Sequence, residues 1–240
     1  MKRIIITFLA FLCACEQKPY SYYSENFIYA YFDYQGITLT VNQQTIFVSP
    51  IQSDRYTNNS IDADIKQKYE SLAKGYGDLN YDRDIVELAG EQRNTMAANS
   101  ITSIKIECLD DINKNHPAGS SVNDLFEFMA YSPLMYIQSG YTQTYDIVDS
   151  PYYQDSYEWL YYQSPNEWLY YFPIVKNLSD IDSMDLVLIG NGKSLNHILF
   201  SLTPKDKDNC PAWGKKLRLT LNYENQYPIS KDFILEEGEY

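Results

Sequence analysis

The most conspicuous chemical pattern in the sequence is a short aromatic motif that occurs twice. Residues 158–162 read Glu-Trp-Leu-Tyr-Tyr, and the same five residues return nine positions later. A turn between the copies would give a hairpin over residues 152–172, with the tryptophan and the first tyrosine of each copy on one face. Exposed rings in such rows stack on sugars or contact a partner's apolar surface, whereas buried rings fill a core. These candidate ligand-binding aromatics are Trp159, Tyr161, Trp168 and Tyr170.

Side chains typical of catalytic sites are few. The two histidines are His116, which precedes a proline in a polar loop, and His197, which lies in an apolar segment. The sequence contains no serine-hydrolase elbow, zinc-protease helix or phosphate-binding loop. Two carboxylates could hydrolyse a glycosidic bond, but 32 acidic residues give no indication of which two would meet. We therefore expect a protein that binds rather than catalyses, with no cofactor. A protein that processes carbohydrate and a purely structural protein are the alternatives.

An acidic loop offers a weaker interpretation as a calcium site. Four side chains with oxygen atoms follow one another there: Asp110, Asp111, Asn113 and Asn115. A calcium-binding EF-hand loop also needs ligands at fixed positions, a central glycine and a late bidentate glutamate, which this loop lacks. A polar turn explains the segment equally well, and we expect no metal site.

The amino terminus has the pattern of an export signal. A basic start, Lys2 and Arg3, precedes an almost unbroken apolar run over residues 4–12. A helix that spans a bilayer needs about 20 apolar residues, and this run has roughly half of them. It can therefore direct secretion but is too short to serve as a membrane-spanning helix.

The end of the apolar run resembles a lipobox. It reads Leu12-Cys13-Ala14-Cys15: a branched apolar residue, two smaller ones, and a cysteine. The resemblance implies that Cys15 receives diacylglycerol and becomes the first residue of the mature chain. Cys13 competes for this role, but its use would place Leu12 at the cleavage site, where small side chains are preferred. The alternative is an ordinary signal peptide with a chance cysteine.

Lipid on this cysteine would decide where the protein resides. Each buried CH₂ contributes about 0.8 kcal/mol, and two or more chains anchor firmly. We expect an outer-membrane lipoprotein of the cell envelope, and the sequence leaves open whether it faces the periplasm or the exterior. A formal charge of −13, without a cluster of Lys and Arg, argues against nucleic acid. The expected partners are the membrane, through the anchor, and a glycan or an envelope protein.

Export would place the remaining cysteines, Cys108 and Cys210, where disulfides persist. A bridge between them would close a loop of about 100 residues and contribute up to roughly 4.7 kcal/mol. Two buried thiols are the alternative. No Cys-x-x-Cys or Cys/His spacing indicates a zinc site.

Most of the chain has the pattern of short strands. Tyrosine makes up 24 of 240 residues and favours strands, because its flat ring packs well on a pleated surface. We expect a polar loop over residues 51–60. Apolar runs and alternating patterns predict strands over residues 27–32, 37–41, 46–48, 101–108, 134–138, 141–148, 184–189, 195–202, 217–223 and 227–235, the last two as a hairpin.

One segment has clear helical periodicity. Apolar residues recur at helical spacing over residues 61–72. Either Ser60 or Asp62 can cap the amino end of this helix, and Gly75 and Gly77 would end it.

Helices are otherwise short and few. A second helix is predicted over residues 122–129, and a third is one interpretation of residues 85–89. Because strands and helices do not alternate, a parallel α/β fold is disfavoured. We expect a mainly β fold, an antiparallel sandwich that is Ig-like in general architecture, with one or two short helical insertions. The expected units are a signal peptide (1–14), a tether (15–26) and a single β domain (27–240).

Residues 101–126 read ITSIKIECLDDINKNHPAGSSVNDLF. A strand with alternating isoleucines is followed by an acidic loop and then by HPAGSSVNDLF. This segment resembles one found in a family of uncharacterised lipoproteins of Bacteroidetes-type bacteria. The resemblance is good over these 26 residues and loose at the lipobox and the terminal hairpin. It implies an envelope lipoprotein and implies no activity.

Overall fold

The computed structural model describes residues 20–42, 44–87, 94–145, 170–190 and 198–236. Strands dominate these residues, which confirms the prediction of a mainly β fold. The strands are β1 (Tyr20–Ser24), β2 (Ala30–Asn42), β3 (Thr45–Thr57), β4 (Arg83–Glu87), β5 (Thr95–Ala97), β6 (Ile101–Cys108), β7 (Phe126–Ser132), β8 (Phe172–Asn177), β9 (Phe200–Pro204), β10 (Lys216–Tyr223) and β11 (Ile229–Ile234). The helices are α1 (Ala63–Tyr76) and α2 (Leu134–Gln138), with 3-10 turns at Asn123–Leu125 and Leu178–Asp180.

Two sheets enclose the main core. The larger sheet has the order β5-β2-β3-β9-β7-β8, in which β2 and β5 are parallel and the other neighbours antiparallel. The smaller sheet, β11-β10-β6, is antiparallel. Buried side chains of both sheets form one apolar cluster, which includes Ile46, Phe128 and Phe200 from the larger sheet and Ile106 and Leu219 from the smaller. This is the sandwich expected from the sequence.

The other face of the larger sheet carries a second core that is rich in tyrosine. Tyr31 and Tyr131 of the sheet pack in one cluster with Tyr69 of α1 and Tyr136 of α2, and all four side chains are buried. The rings of Tyr31 and Tyr69, for example, have their centroids 5.6 Å apart. Aromatic pairs of this kind contribute about 0.5–1.5 kcal/mol beyond the area they bury. Much of the tyrosine content therefore builds the fold.

The most regular patterns of the sequence form as predicted. β6 occupies residues 101–108, and β10 pairs with β11 as the terminal hairpin. The first helix begins after Asp62, whose carboxylate accepts the backbone N–H of Asp64 at 2.9 Å. Gly77 ends this helix in the left-handed conformation (φ 75°), which glycine adopts without strain.

Two segments predicted to be irregular are strands. Residues 20–24, assigned to the tether, form β1, which pairs antiparallel with β4. Since β4 covers residues 83–87, the helix predicted over residues 85–89 is wrong in its described part. The predicted loop at residues 51–57 continues β3 beyond Pro50. β9 pairs with residues 46–48 of β3. Pro50, which has no backbone N–H to donate, therefore lies beyond the residues that pair with β9.

The assignments between residues 122 and 138 are reversed. The predicted helix over residues 122–129 is a 3-10 turn followed by β7, in which Phe126 and Phe128 are buried and Glu127 is exposed. This alternation, with aromatic residues that favour strands, outweighs the helical spacing. The predicted strand at residues 134–138 is α2, because a short apolar run does not distinguish helix from strand.

Other strand predictions are confirmed only in part or are wrong. Residues 27–29 precede β2 rather than form a strand. Residues 183–188 form turns, although Leu186 and Leu188 are buried. Residues 141–145 are irregular. Residues 146–148 and 195–197 lie outside the described part of the chain, and β9 begins at residue 200.

Candidate functional site

Several residues singled out by the sequence lie outside the described ranges. They are Cys15, Trp159, Tyr161, Trp168 and His197. Lipidation and the aromatic hairpin therefore remain predictions. In the part of the chain that the structure covers, no helix has the length and apolar character needed to cross a bilayer.

Tyr170 is the one member of the aromatic set that is described, and it packs in the tyrosine-rich core. Its side chain is half-buried. Its ring centroid lies 4.5 Å from that of Tyr136 and 5.8 Å from that of Phe27. At this position the aromatic motif contributes to packing.

Cys108 and Cys210 are both free and buried, so the structure has two thiols and not the disulfide considered above. The Cys108 sulfur lies 2.9 Å from the carbonyl oxygen of Pro117 and 3.4 Å from that of Ser120, in the turn that follows β6. Burial raises the pKa of the Cys210 thiol. Each cysteine thus acts as a small buried side chain.

The acidic loop after β6 is held by hydrogen bonds from its backbone N–H groups to its own side-chain oxygens. The side-chain oxygen of Asn113 accepts the backbone N–H of Asn115 at 2.9 Å. A carboxylate oxygen of Asp111 accepts the N–H of Ala118 at 2.8 Å. No three His, Cys, Asp or Glu side chains converge as metal ligands among the residues with described positions. These side chains serve as turn-forming acceptors.

A polar cleft opens where α1 meets β1 and the loop that follows α1. Its volume is about 640 Å³, within the roughly 300–1,000 Å³ of small-molecule sites. Four segments supply its lining residues: 23–26 at the end of β1, 58–59 after β3, 66–73 in α1, and 79–82 before β4. This cleft is the candidate functional site.

The floor of the cleft is fixed by buried hydrogen bonds. Tyr69 lies at the floor, and its hydroxyl donates to the backbone carbonyl of Ile28 at 2.7 Å. The buried amide of Asn26 donates to the backbone carbonyl of Asp78. Hydrogen bonds between segments far apart in sequence hold the lining residues in place before a ligand arrives.

Asp78 connects the end of α1 to the segment between β1 and β2. Its backbone N–H donates to Ala73 at 2.9 Å, which completes the left-handed helix end. Its buried carboxylate accepts the backbone N–H groups of Phe27 and Ile28 and the hydroxyl of Tyr141, each at 2.8 Å. Burial raises the pKa of Asp78, while the two backbone hydrogen bonds and that of Tyr141 oppose the increase.

An aromatic ring stands at the rim of the cleft. Tyr23 is 58% exposed, and its hydroxyl donates to a carboxylate oxygen of Asp82 at 2.7 Å. This hydrogen bond raises the pKa of Tyr23. Leu79, 44% exposed, also lines the cleft. The ring is therefore accessible and yet held at its polar end.

Three amide side chains of the lining have no hydrogen-bond partner in the described structure: Asn58, Asn59 and Asn80. Asn58 is half-buried and the other two are exposed. Each amide offers two N–H donors and one oxygen acceptor to a bound molecule.

The ionisable side chains make the cleft negative. Glu25, Glu70 and Asp82 contribute three carboxylates, against the single ammonium group of Lys66. Lys66 lies 4.0 Å from Glu70 on the exposed surface of α1. Such a pair contributes little to stability but leaves Lys66 next to an opposite charge.

The sequence did not identify this cleft, because its four lining segments are separated by up to about fifty residues along the chain. The available signals were the Asn58-Asn59 pair after a strand and the polar stretch at 78–82 after a helix-ending glycine. Both are equally typical of ordinary turns.

A scan against protein-family models, a search of curated proteins and a search of solved structures each returned no match.

Proposed function

We propose that the protein is a non-enzymatic binding module of the cell envelope, anchored through lipid on Cys15, and that it holds its ligand in the cleft beside α1. The observation that carries the proposal is a cleft with a fixed floor, three of whose four lining asparagines have amides without a hydrogen-bond partner among the described residues. A small number of placed polar groups in a preformed concavity is typical of ligand sites.

Binding is favoured over hydrolysis by the surroundings of the carboxylates. Glu25, Glu70 and Asp82 are all exposed to solvent. A general acid at neutral pH needs a carboxyl group shielded from water, as in a hydrophobic pocket. The lining residues can form hydrogen bonds with a ligand, but none of their carboxyl groups is shielded from water in this way.

The export signal and the lipobox support the proposed address, which is the outer membrane, facing the periplasm or the exterior. The formal charge of −13 supports a partner other than nucleic acid. The resemblance of residues 101–126 to envelope lipoproteins agrees with the proposed address.

Replacing Cys15 with serine is expected to abolish incorporation of a palmitate analogue and to move the protein from the membrane fraction. A thioether cannot form without the thiol, and the apolar run is too short to span a bilayer. Cells grown with an alkyne-bearing palmitate and fractionated by centrifugation give both readouts. Cys13→Ser is the matched control and should keep the label. An unlabelled wild-type protein, or label retained in Cys15→Ser, contradicts the anchor.

The double variant Asn58→Ala/Asn59→Ala is expected to weaken ligand binding about tenfold or more, because it removes two of the free amides. The full-length chain in detergent is titrated with neutral oligosaccharides, charged oligosaccharides and a tryptic digest of casein, with isothermal calorimetry as the readout. Asn225→Ala, an exposed asparagine outside the cleft, is the control. If no class binds, or if the double variant binds as well as the wild type, the cleft is not the site.

A further inference from the structure

We infer that the ligand of the cleft is an uncharged carbohydrate, bound as one sugar unit or a short segment of a glycan chain. This inference rests on the proposed function and names the chemistry of its ligand. Three features of the cleft carry it: the state of its charges, the type of its free hydrogen-bonding groups, and the aromatic ring at its rim.

The charges argue against an anionic ligand. Three carboxylates and one ammonium group make the local potential negative, which repels phosphates and uronic acids. The ammonium group of Lys66 lies next to Glu70, so no unpaired cation of the lining faces the cleft.

The same carboxylates attract cations, but two of the three already have a partner within the protein. Asp82 already accepts the hydroxyl of Tyr23, and Glu70 lies near Lys66. Glu25 is then the one carboxylate of the lining without a side-chain partner among the described residues. That carboxylate can accept a hydrogen bond from a sugar hydroxyl. Charge therefore disfavours anionic ligands, and the choice of a neutral ligand over a cationic one rests on the free polar groups and the aromatic ring.

The free polar groups match hydroxyls. A sugar presents several hydroxyl groups, each of which both donates and accepts. The amides of Asn58, Asn59 and Asn80 supply donors and acceptors together in one cleft. A peptide ligand would instead need apolar pockets for anchoring side chains. Ala73 and Leu79 are the aliphatic members of the lining, and they form no such pocket by themselves.

The ring at the rim supplies the apolar contact that sugars need. One face of a pyranose consists of C–H groups, which pack against an aromatic ring. Tyr23 is 58% exposed, and its hydroxyl is bonded to Asp82, so the ring loses little freedom when a ligand stacks on it. Leu79, 44% exposed, adds apolar surface elsewhere in the lining.

The test is a titration of the full-length chain in detergent with hexasaccharides of known charge. Neutral probes are maltohexaose, cellohexaose, mannohexaose and xylohexaose; the anionic probe is oligogalacturonate and the cationic probe is a chitosan hexamer. We expect at least one neutral probe to bind more tightly than both charged probes. Tyr23→Ala should weaken that binding about tenfold or more, and Tyr23→Phe, which keeps the ring, about threefold or less.

Tyr227→Ala is the matched control, because Tyr227 is 91% exposed and lies outside the cleft. It should bind as the wild type does. Tighter binding of a charged probe, or equal binding by Tyr23→Ala, overturns the inference. If casein peptides bind in a manner that depends on Asn58 and Asn59 while no oligosaccharide does, the ligand class is wrong and the proposed function stands. If nothing binds, both fail.

Discussion

Replacing Asp78 with alanine is expected to destabilise the fold by about 3–5 kcal/mol. The substitution leaves the backbone N–H groups of Phe27 and Ile28 and the hydroxyl of Tyr141 without their acceptor. Each buried donor left without a partner costs about 1–3 kcal/mol, and relief of the buried charge offsets part of the sum. Urea unfolding followed by circular dichroism measures the loss.

Two variants make this result specific. Asp54→Ala, an exposed aspartate on β3, should change the free energy of unfolding by less than about 0.5 kcal/mol. Asp78→Asn keeps one oxygen acceptor and should cost less than Asp78→Ala. A loss for Asp78→Ala as small as that for Asp54→Ala would show that these hydrogen bonds do not hold the cleft.

The same carboxylate gives a pH signature. Because burial raises the pKa of Asp78 in the folded state, the folded protein holds this proton more tightly than the unfolded chain does. The contribution of Asp78 to stability is therefore greatest at low pH and falls as pH rises from about 4 through the folded pKa. The difference in unfolding free energy between the wild type and Asp78→Asn should decrease over that interval.

Replacing Phe27 with alanine is expected to cost about 3–5 kcal/mol, the range for a buried phenylalanine. Phe27 is 5% exposed, and four tyrosine rings surround it with centroids between 5.1 and 6.2 Å away. They belong to Tyr81, Tyr136, Tyr170 and Tyr171. The measurement is again urea unfolding.

Phe233→Ala is the comparison, since Phe233 is half-buried on β11 and should cost about 1 kcal/mol. The effects of Phe27→Ala and Asp78→Ala should not add, because the Asp78 carboxylate accepts the backbone N–H of Phe27 and so helps to position its ring in the core. Equal losses for both phenylalanines would mean that the tyrosine-rich core is not a major source of stability.

The elements that could be predicted are those in which local pattern and tertiary burial agree. In β10, Leu217, Leu219 and Leu221 alternate with polar residues, and all three leucines are buried in the main core. In α1, Asp62 caps the amino end, Tyr69 is buried and Gly77 ends the helix, as expected. Ile61, which the spacing places on the apolar face, instead precedes the helix and is exposed, and Gly75 lies within it.

Prediction failed where a segment is short or its partner is distant. The polar end of β3 is a strand because β2 pairs with it, from Ala30 opposite Thr57 and across two shifts of register, and no local pattern shows this. β1 likewise depends on β4, some sixty residues further along. In residues 134–138 an apolar run of five fits either helix or strand, and the packing of Tyr136 decides the outcome.

The candidate site was less accessible to sequence reasoning than the fold. The aromatic repeat suggested a binding surface, but its described member, Tyr170, is part of a core. The cleft was missed because asparagines such as Asn58 and Asn80 are common in turns. The fold, and no local pattern, brings them together around one cleft.

The first strand begins at Tyr20, only five peptide units from the proposed lipid attachment point. This short connection limits the distance from the membrane at which the protein can bind a ligand. Five units extend at most about 18 Å, and three further residues along a strand add roughly 10 Å before Tyr23 is reached. Under the proposed anchoring, the mouth of the cleft can stand no more than about 30 Å above the lipid headgroups. Any glycan it captures must come down to that layer, so chains displayed far from the bilayer are out of reach.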